Sequence, residues 1–573
     1  MPLDLSLLNA AQHQAVTQTE GPFMINAGPG AGKTQVLTHR IAYLIQEQNI
    51  PPYHIMALTF TNKAAKEMTK RIQNLITNEA RGLWIGTFHS LFSRLLRIES
   101  ETLHLPRNFT IYDRADSLNL IKILIKELQL NEEIYKPNIV LNRISGAKNR
   151  LMDAQAYSQN PICREDDQKT AKPRMGEIFL QYENRCKKAA ALDFDDLLLT
   201  TYQLLNTHQE IAKKYQDRFR YILVDEFQDT NQVQYAILKI LAAHKNLCVI
   251  GDDAQSIYAF RGANIDNILS FTTHFSQAKT IKLEQNYRST KQIVQAVNSL
   301  IAHNKDQLPK QIFTSNAQGA PISLITTSNE VEEALYVAKS IFDTSQQNQL
   351  HYDQFAVLYR TNSQSRIIEE TLRKNNIPYQ LLGGTSFYQR KEIKDLLAYL
   401  RLLVNPNDEQ ALRRVINLPK RGIGPTTLEK VWQWSLTHEL TIWEVLQQIE
   451  RFIQGQTAAA IKGFVQLIAH FQNQMPHKNP YEIALAIAEK SGLLTALYAD
   501  QTPEGVSRYE NIQELLNSIK SFVDENQNES NQLADFLEQI SLLSNADQQE
   551  DGATPKVLLM TIHTAKGLEF PYL

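Results

Sequence analysis

Cysteine is scarce in this sequence: three residues in 573, Cys163, Cys186 and Cys248, far apart and without a Cys-x-x-Cys pair. That excludes a disulfide framework and a zinc ribbon, and it points to a reducing, cytoplasmic compartment. No run of about 18 apolar residues occurs, and no basic stretch leading into an apolar one opens the chain, so neither a membrane span nor a signal peptide is expected. A charge excess is missing too. The 59 Lys and Arg against 61 Asp and Glu leave a formal −2, which argues against a nonspecific nucleic-acid coat while leaving room for a local basic groove. What the chain has is length. At 573 residues and 43% hydrophobic it is too long for one core, and about four domains of roughly 150 residues each are expected.

The first stretch that carries chemistry is "GPFMINAGPGAGKTQVLTHRIAYLI". Phe23 to Asn26 predicts a short buried strand, and Val36, Leu37, Ile41, Leu44 and Ile45 recur at helical spacing. Between them lies Ala27-Gly28-Pro29-Gly30-Ala31-Gly32-Lys33-Thr34, the layout of a phosphate-binding loop with Ala27 at its opening position. The glycines let backbone amides approach phosphate oxygens, and the helix N-terminus favours an anion. Lys33 can reach the β- and γ-phosphates and Thr34 can ligate Mg²⁺.

A second strand, Tyr221 to Val224, ends on Asp225-Glu226, where open α/β sheets present their ligands. Asp225 is suited to hold Mg²⁺ and Glu226 to orient and deprotonate a water, so with Lys33 the pair describes a hydrolytic ATP site. A guanine reader is absent, because Asn62-Lys63 is followed by Ala65 where Asn-Lys-x-Asp needs its acid. Three further strand ends carry polar and aromatic residues: Phe60, Thr61 and Asn62; Thr87, Phe88, His89 and Ser90; Gln255, Tyr258, Phe260 and Arg261. Aromatic faces for bases beside donors for phosphates are what a single-stranded nucleic acid requires.

The ordered series "LNAAQHQAV", "AGPGAGKT", "TFTNKAAKEM", "GTFHS", "DFDDLL", "VDEFQDT", "GDDAQSIYAFRGA", "LEQNYRST", "AVLYRTNSQSR", "FYQRKEIKD", "LPKRGIG" and "TIHTAKGLEF" resembles the superfamily 1 DNA helicases of the UvrD/Rep/PcrA type over the whole chain. The resemblance implies an α/β fold of two RecA-like motor domains with parallel sheets flanked by helices, each carrying a mainly helical insertion. It places the first motor at 1–111 and 193–279, its insertion at 112–192, the second motor at 280–383 and 555–573, and its insertion at 384–554. It also implies ATP with Mg²⁺ between the motors, single-stranded DNA and single/double-strand junctions as ligands, and 3′ to 5′ translocation. By resemblance Gln12 reads adenine, Tyr287 stacks on it, Arg288 is an arginine finger and Gln255 a γ-phosphate sensor. Gly567 and Glu569 approach ribose and γ-phosphate. Phe60, Asn62, Thr87, His89, Tyr258, Phe260, Arg261, Arg360, Asn362 and His563 face DNA, and Gly422 and Gly424 form a hairpin whose amides face duplex phosphate.

Two departures stand out. Gln35 replaces the Arg that usually follows the phosphate-loop Thr, and Phe260 replaces Trp. The first removes a cation-π contact worth roughly 0.5 to 2 kcal/mol; the second keeps a stacking face with less area. The closing "TIHTAKGLEF" resembles the family's fifth motif, so the chain is expected to be truncated before the sixth, with reduced ATPase and unwinding. The alternatives are a DNA- and nucleotide-binding form with little helicase activity, and the motor of a helicase-nuclease. Repair or replication proteins are the expected partners, with the chain a monomer or weakly self-associating.

Overall fold

The computed structural model describes residues 3–76, 80, 82–382, 387–500, 502–525, 532–542 and 555–573. They divide into two compact units, Met1–Phe88 with Gln209–Ser386 and Leu543–Leu573, and His89–His208 with Phe387–Leu542. The strands are, along the chain, β1 (Phe23–Ala27), β2 (Ile55–Thr59), β3 (Trp84–Thr87), β4 (Thr110–Tyr112), β5 (Ala191–Asp193), β6 (Tyr221–Val224), β7 (Leu247–Gly251), β8 (Lys279–Leu283), β9 (Ala356–Tyr359), β10 (Tyr379–Leu381) and β11 (Val557–Thr561).

In the first unit a parallel six-stranded sheet runs β3-β2-β6-β7-β1-β8. Its central strands are apolar on both faces, and β1, β2 and β7 are buried at every position, as a sheet covered by helices on both sides demands. Three helices follow from local sequence: α1 (Ala10–Thr17), started by an Asn9/Gln12 capping box; α2 (Lys33–Gln46), which buries Val36, Leu37, Ile41, Leu44 and Ile45; and α3 (Asn62–Leu75), capped by Thr61. A second parallel sheet runs β10-β11-β9. The 279/280 division falls on β8, which pairs with β1 and buries Ile281 and Leu283. The 383/384 division lies outside the described residues and 554/555 falls at their edge; of the polar stretches Asp524 to Gln532 and Asn545 to Thr554, expected as flexible connections, 526–531 and 545–554 lie outside the described residues, and Asp524 and Glu525 end the helix Pro503–Glu525.

The second unit is mainly helical, with β4 and β5 as a short parallel pair. It contains the segment 112–192 and, of 384–554, the residues Phe387–Leu542, each with its own apolar core. Polar side chains tie them together. The Arg185 guanidinium grips Glu409 at 2.9 and 2.5 Å and Glu127 at 2.8 Å, Arg401 bridges Asp116 and Asp408, and the Asn405 amide donates to the Thr110 hydroxyl and the Ala189 carbonyl.

Candidate nucleotide and nucleic-acid site

The phosphate loop connects the end of β1 to the first turn of α2. Gly30 and Gly32 have φ of +64° and +80°, which glycine adopts without the Cβ strain that other residues incur. Gly32 caps α2 without a side-chain acceptor, so the first amides of the helix face the loop with no capping partner. Lys33 lies 3.6 Å from Glu226, and both are largely shielded from solvent. Burial works against the Lys33 charge, yet Glu226, Asp252 and Asp225 raise its pKa.

Asp225 and Glu226 leave β6 together, and Glu226 sits at φ +50°. Burial, and then the neighbouring Glu226 charge, raise the pKa of Asp225. Burial also opposes the charge of Glu226, but Lys33 and Lys566 overcome it and hold this carboxyl below its usual range. The two acids therefore differ in kind. Glu226 is held ionised by its lysines, while Asp225 is a shielded carboxyl short of positive charge.

The Thr34 hydroxyl and the Asp225 carboxylate are hard oxygen donors that fit Mg²⁺. Among the described residues no group of three or more His, Cys, Asp and Glu could hold a metal by itself. That suits an ion bound by one carboxylate together with substrate phosphates.

Residues expected around adenine and the γ-phosphate meet on the same side of the loop. The Gln12 amide donates to the Ala31 carbonyl at 3.0 Å and accepts from the Asn9 backbone at 3.1 Å, so both its ends are engaged within the protein. The Tyr287 hydroxyl lies 2.7 Å from the Asn9 amide, which brings Tyr287 to the start of α1. Gln35 is the third residue of α2, with its side-chain oxygen facing Gly32. Arg288 is paired with Glu569 at 2.5 Å, and Gly567, at φ +83°, turns the chain just before that contact.

The next layer joins this region to the aromatic loops. The Gln255 amide donates to Asp252 at 2.7 Å, while its backbone carbonyl accepts from the Lys566 ammonium at 2.6 Å. Lys566 also pairs with buried Asp229 at 2.5 Å and lies 4.9 Å from the Tyr258 ring centre. The Tyr258 hydroxyl donates to the His563 carbonyl at 3.1 Å, and the His563 ring stands edge-on to Phe260 at 5.3 Å. Phe260 is 68% exposed, so its ring is open to a ligand. Arg360 reaches His563 at 3.5 Å, and Asn362 opens the turn that follows β9. Phe60 packs against Phe88 at 5.5 Å, Asn62 begins α3, and Thr87 closes β3 as a buried residue. The side chain of Arg261 lies outside the described residues.

His89 and the Gly422–Gly424 turn belong to the second unit. His89 stands edge-on to Phe194, and burial depresses its pKa to about 4, so the ring is neutral at physiological pH. The expected hairpin is a turn built from inside, with Gly422 and Gly424 alternating with residues whose amides are engaged. The amides of Arg421 and Ile423 turn inward onto the Asn417 side chain. The Arg421 guanidinium is taken up by the carbonyls of Val415, Leu418 and Ser491 and by the Tyr399 hydroxyl. Gly422, at φ +77°, remains exposed with open space where a Cβ would stand. Asn417 and Arg421 thus build the turn. Sequence reading missed them, along with Asn9, Asp229 and Lys566, although each stands inside or beside a quoted motif.

A glycine loop between a buried strand and a helix, with an ionised Glu and a shielded Asp on a nearby strand end, defines a phosphate-loop nucleotide-binding protein. Comparison with known proteins narrows this. Residues 8–276 match the UvrD/REP helicase N-terminal domain and residues 281–573 the UvrD-like helicase C-terminal domain. The ATP-dependent DNA helicase PcrA of Bacillus subtilis is 42% identical over 574 residues, covering 99% of this chain and 77% of that protein. The PcrA protein of Staphylococcus aureus strain Mu50 is 42% identical over 571 residues with the same coverage. The chain belongs to the UvrD-like family of DNA helicases. These matches cover 99% of this chain and 77% of the relative's length, and by themselves they do not bear out the expected truncation. Among the described residues no helix is long and apolar enough to cross a membrane.

Proposed function

We propose that this chain is an ATP-driven, 3′ to 5′ translocase on single-stranded DNA that unwinds duplexes at single/double-strand junctions in repair or replication. The observation that carries this reading is the continuous set of contacts from Gln255 through Lys566 to Tyr258, His563 and Phe260. One loop thereby touches both Gln255, a candidate hydrolytic residue, and the exposed aromatic ring.

In this reading the phosphate-loop amides and Lys33 bind the triphosphate. Phosphate oxygens draw the Lys33 ammonium away from Glu226, whose ionised carboxylate then accepts the proton of the attacking water. Thr34 and Asp225 would hold Mg²⁺, which when bound neutralises phosphate charge. Gln255 orients on the γ-phosphate, Arg288 exchanges Glu569 for the transferring phosphoryl group, and Gln12 and Tyr287 frame the base. Glu569 and Gly567 lie on the side of the ribose and γ-phosphate. Phe60, Tyr258 and Phe260 offer rings to bases; Asn62, Thr87, Arg360, Asn362 and His563 offer polar contacts to the strand. His89, Arg261 and the Gly422–Gly424 turn are further DNA contacts. Three buried free cysteines suit a reducing cytoplasm. The chain acts as a monomer or weakly associating species with repair or replication proteins.

The test is ATP hydrolysis with and without single-stranded DNA, and unwinding of 3′-tailed against 5′-tailed duplexes. DNA stimulation and a 3′-tail preference are expected, with both activities abolished by Lys33→Ala. Unchanged DNA-stimulated hydrolysis in that variant would remove the phosphate loop from the mechanism.

A further inference from the structure

The residue before Tyr287 and Arg288 is more deeply placed than either. Asn286 is 3% exposed and every polar atom of its side chain is used. Its amide nitrogen donates to the Pro29 carbonyl in the phosphate loop at 2.7 Å. Its oxygen accepts from the backbone N–H of Arg288 at 2.9 Å and of Ser289 at 2.7 Å. A backbone bond from Tyr287 N–H to the Gly30 carbonyl, 2.9 Å, runs beside the first of these.

The two loops are consequently in van der Waals contact. A Cβ on Gly30 would stand 2.8 Å from the Asn286 amide nitrogen and 2.9 Å from the Arg288 Cβ. Gly30 is therefore required for close approach as well as for its positive φ. The root of the Arg288 side chain rests on the phosphate-loop backbone, while its guanidinium is free to leave Glu569, since that pair is about half exposed on both sides.

We infer that Asn286 is a positioning residue for hydrolysis: it fixes the Arg288 turn on the phosphate loop, so that the guanidinium starts from a set distance to the phosphate. The inference rests on the proposed ATP hydrolysis. A carboxamide is suited to this because it donates and accepts in one plane, whereas Asp keeps the two acceptor bonds and lacks the donor to Pro29. Misplacing a charged group by about 1 Å can cost about 100-fold in rate. Asn286→Ala and Asn286→Asp should therefore lower kcat by about 10- to 100-fold, with the KM for ATP within about threefold of wild type.

The experiment uses the full chain and four variants: Asn286→Ala, Asn286→Asp, Arg288→Ala, and Asn286→Ala combined with Arg288→Ala. DNA-stimulated hydrolysis is read together with hydrogen exchange of the Tyr287, Arg288 and Ser289 amides in nucleotide-free protein. If Asn286 acts through Arg288, the double variant is no slower than Arg288→Ala, because residues acting as a unit are not additive. The Tyr287–Ser289 amides should exchange faster in Asn286→Ala, while in Asn286→Asp those of Arg288 and Ser289 keep their protection. A wild-type rate in Asn286→Asp, multiplicative loss in the double variant, or a raised KM with unchanged kcat overturns the inference. Wild-type protein without DNA-stimulated hydrolysis overturns the proposed function instead; the exchange result still decides the Asn286 turn.

Discussion

Lys148 should be the most costly single cation to remove from the second unit. Its side chain has no exposed surface, and its ammonium lies 2.7 Å from Asp193 and 2.7 Å from Asp196. Asp193 also accepts from the Tyr182 hydroxyl at 2.8 Å, and with Asp196 it forms the capping box that starts the helix Phe194–Thr207. Lys148→Met keeps the apolar stem and leaves two buried carboxylates without their cation, beside a third, Asp195, already raised to about 6 by burial and by Asp193. Breaking a buried pair from one side costs about 3–5 kcal/mol. In a unit of this size that is a fall of about 6–20 °C in its melting transition. The sign with pH can be worked out. Burial and the charge of Asp193 raise Asp196 to about 7, so the folded state binds this proton before the unfolded chain does. That contribution favours folding at low pH and is lost as pH rises through about 7. Without Lys148 the carboxyls rise further, so the difference from wild type should widen between about pH 5.5 and about pH 8. Calorimetry of both proteins at the two pH values checks this. A melting temperature within about 2 °C of wild type at the higher pH would refute the claim that Lys148 compensates these acids.

Glu226→Gln keeps the side-chain shape and removes the proton acceptor; DNA-stimulated kcat should fall by about 100- to 10,000-fold while nucleotide affinity, measured by displacement of a fluorescent analogue, stays the same or improves. Phe260→Ala removes the exposed ring beside His563 and should weaken single-stranded DNA binding by about 1–3 kcal/mol in fluorescence anisotropy at fixed salt, with basal hydrolysis unchanged.

Local pattern made much of this chain legible. The strand expected at Tyr221 to Val224 is β6, the apolar run Val557 to Ile562 contains β11, and the five apolar positions named for the phosphate-loop helix are buried in α2. Periods of 2 and 3.6 residues reveal which side of an element is apolar, and glycine reveals where the backbone must turn. Neither reveals a partner. Arg185 and Glu409 are 224 residues apart, and nothing in the spacing of either segment indicates that 112–192 and 384–554 share one unit through such pairs. The same limit applied to the Gly422–Gly424 turn. Two glycines indicate a tight turn, but nothing in their spacing indicates that Asn417, only four residues before Arg421, collects the amides of Arg421 and Ile423.

The polar loop after β11 shows how a legible motif can conceal its own logic. In sequence, Lys566 is one charge among several in a short turn, and an exposed, solvated lysine is the ordinary expectation. In the fold β11 is the central strand of its sheet, paired to β9 and β10 on either side, so the loop that follows is anchored at its root. From there Lys566 reaches Asp229, the Gln255 carbonyl and the face of Tyr258 at once. A lysine with those three partners is almost fully enclosed, and its charge, after that of Lys33, helps keep Glu226 ionised. The loop that carries His563 to Phe260 therefore also adds, after Lys33, to the positive charge acting on Glu226. If Phe260 binds a strand and Glu226 is the proton acceptor, as proposed, a shift of that loop changes the field at this carboxyl, which is the physical basis for expecting hydrolysis to respond to DNA.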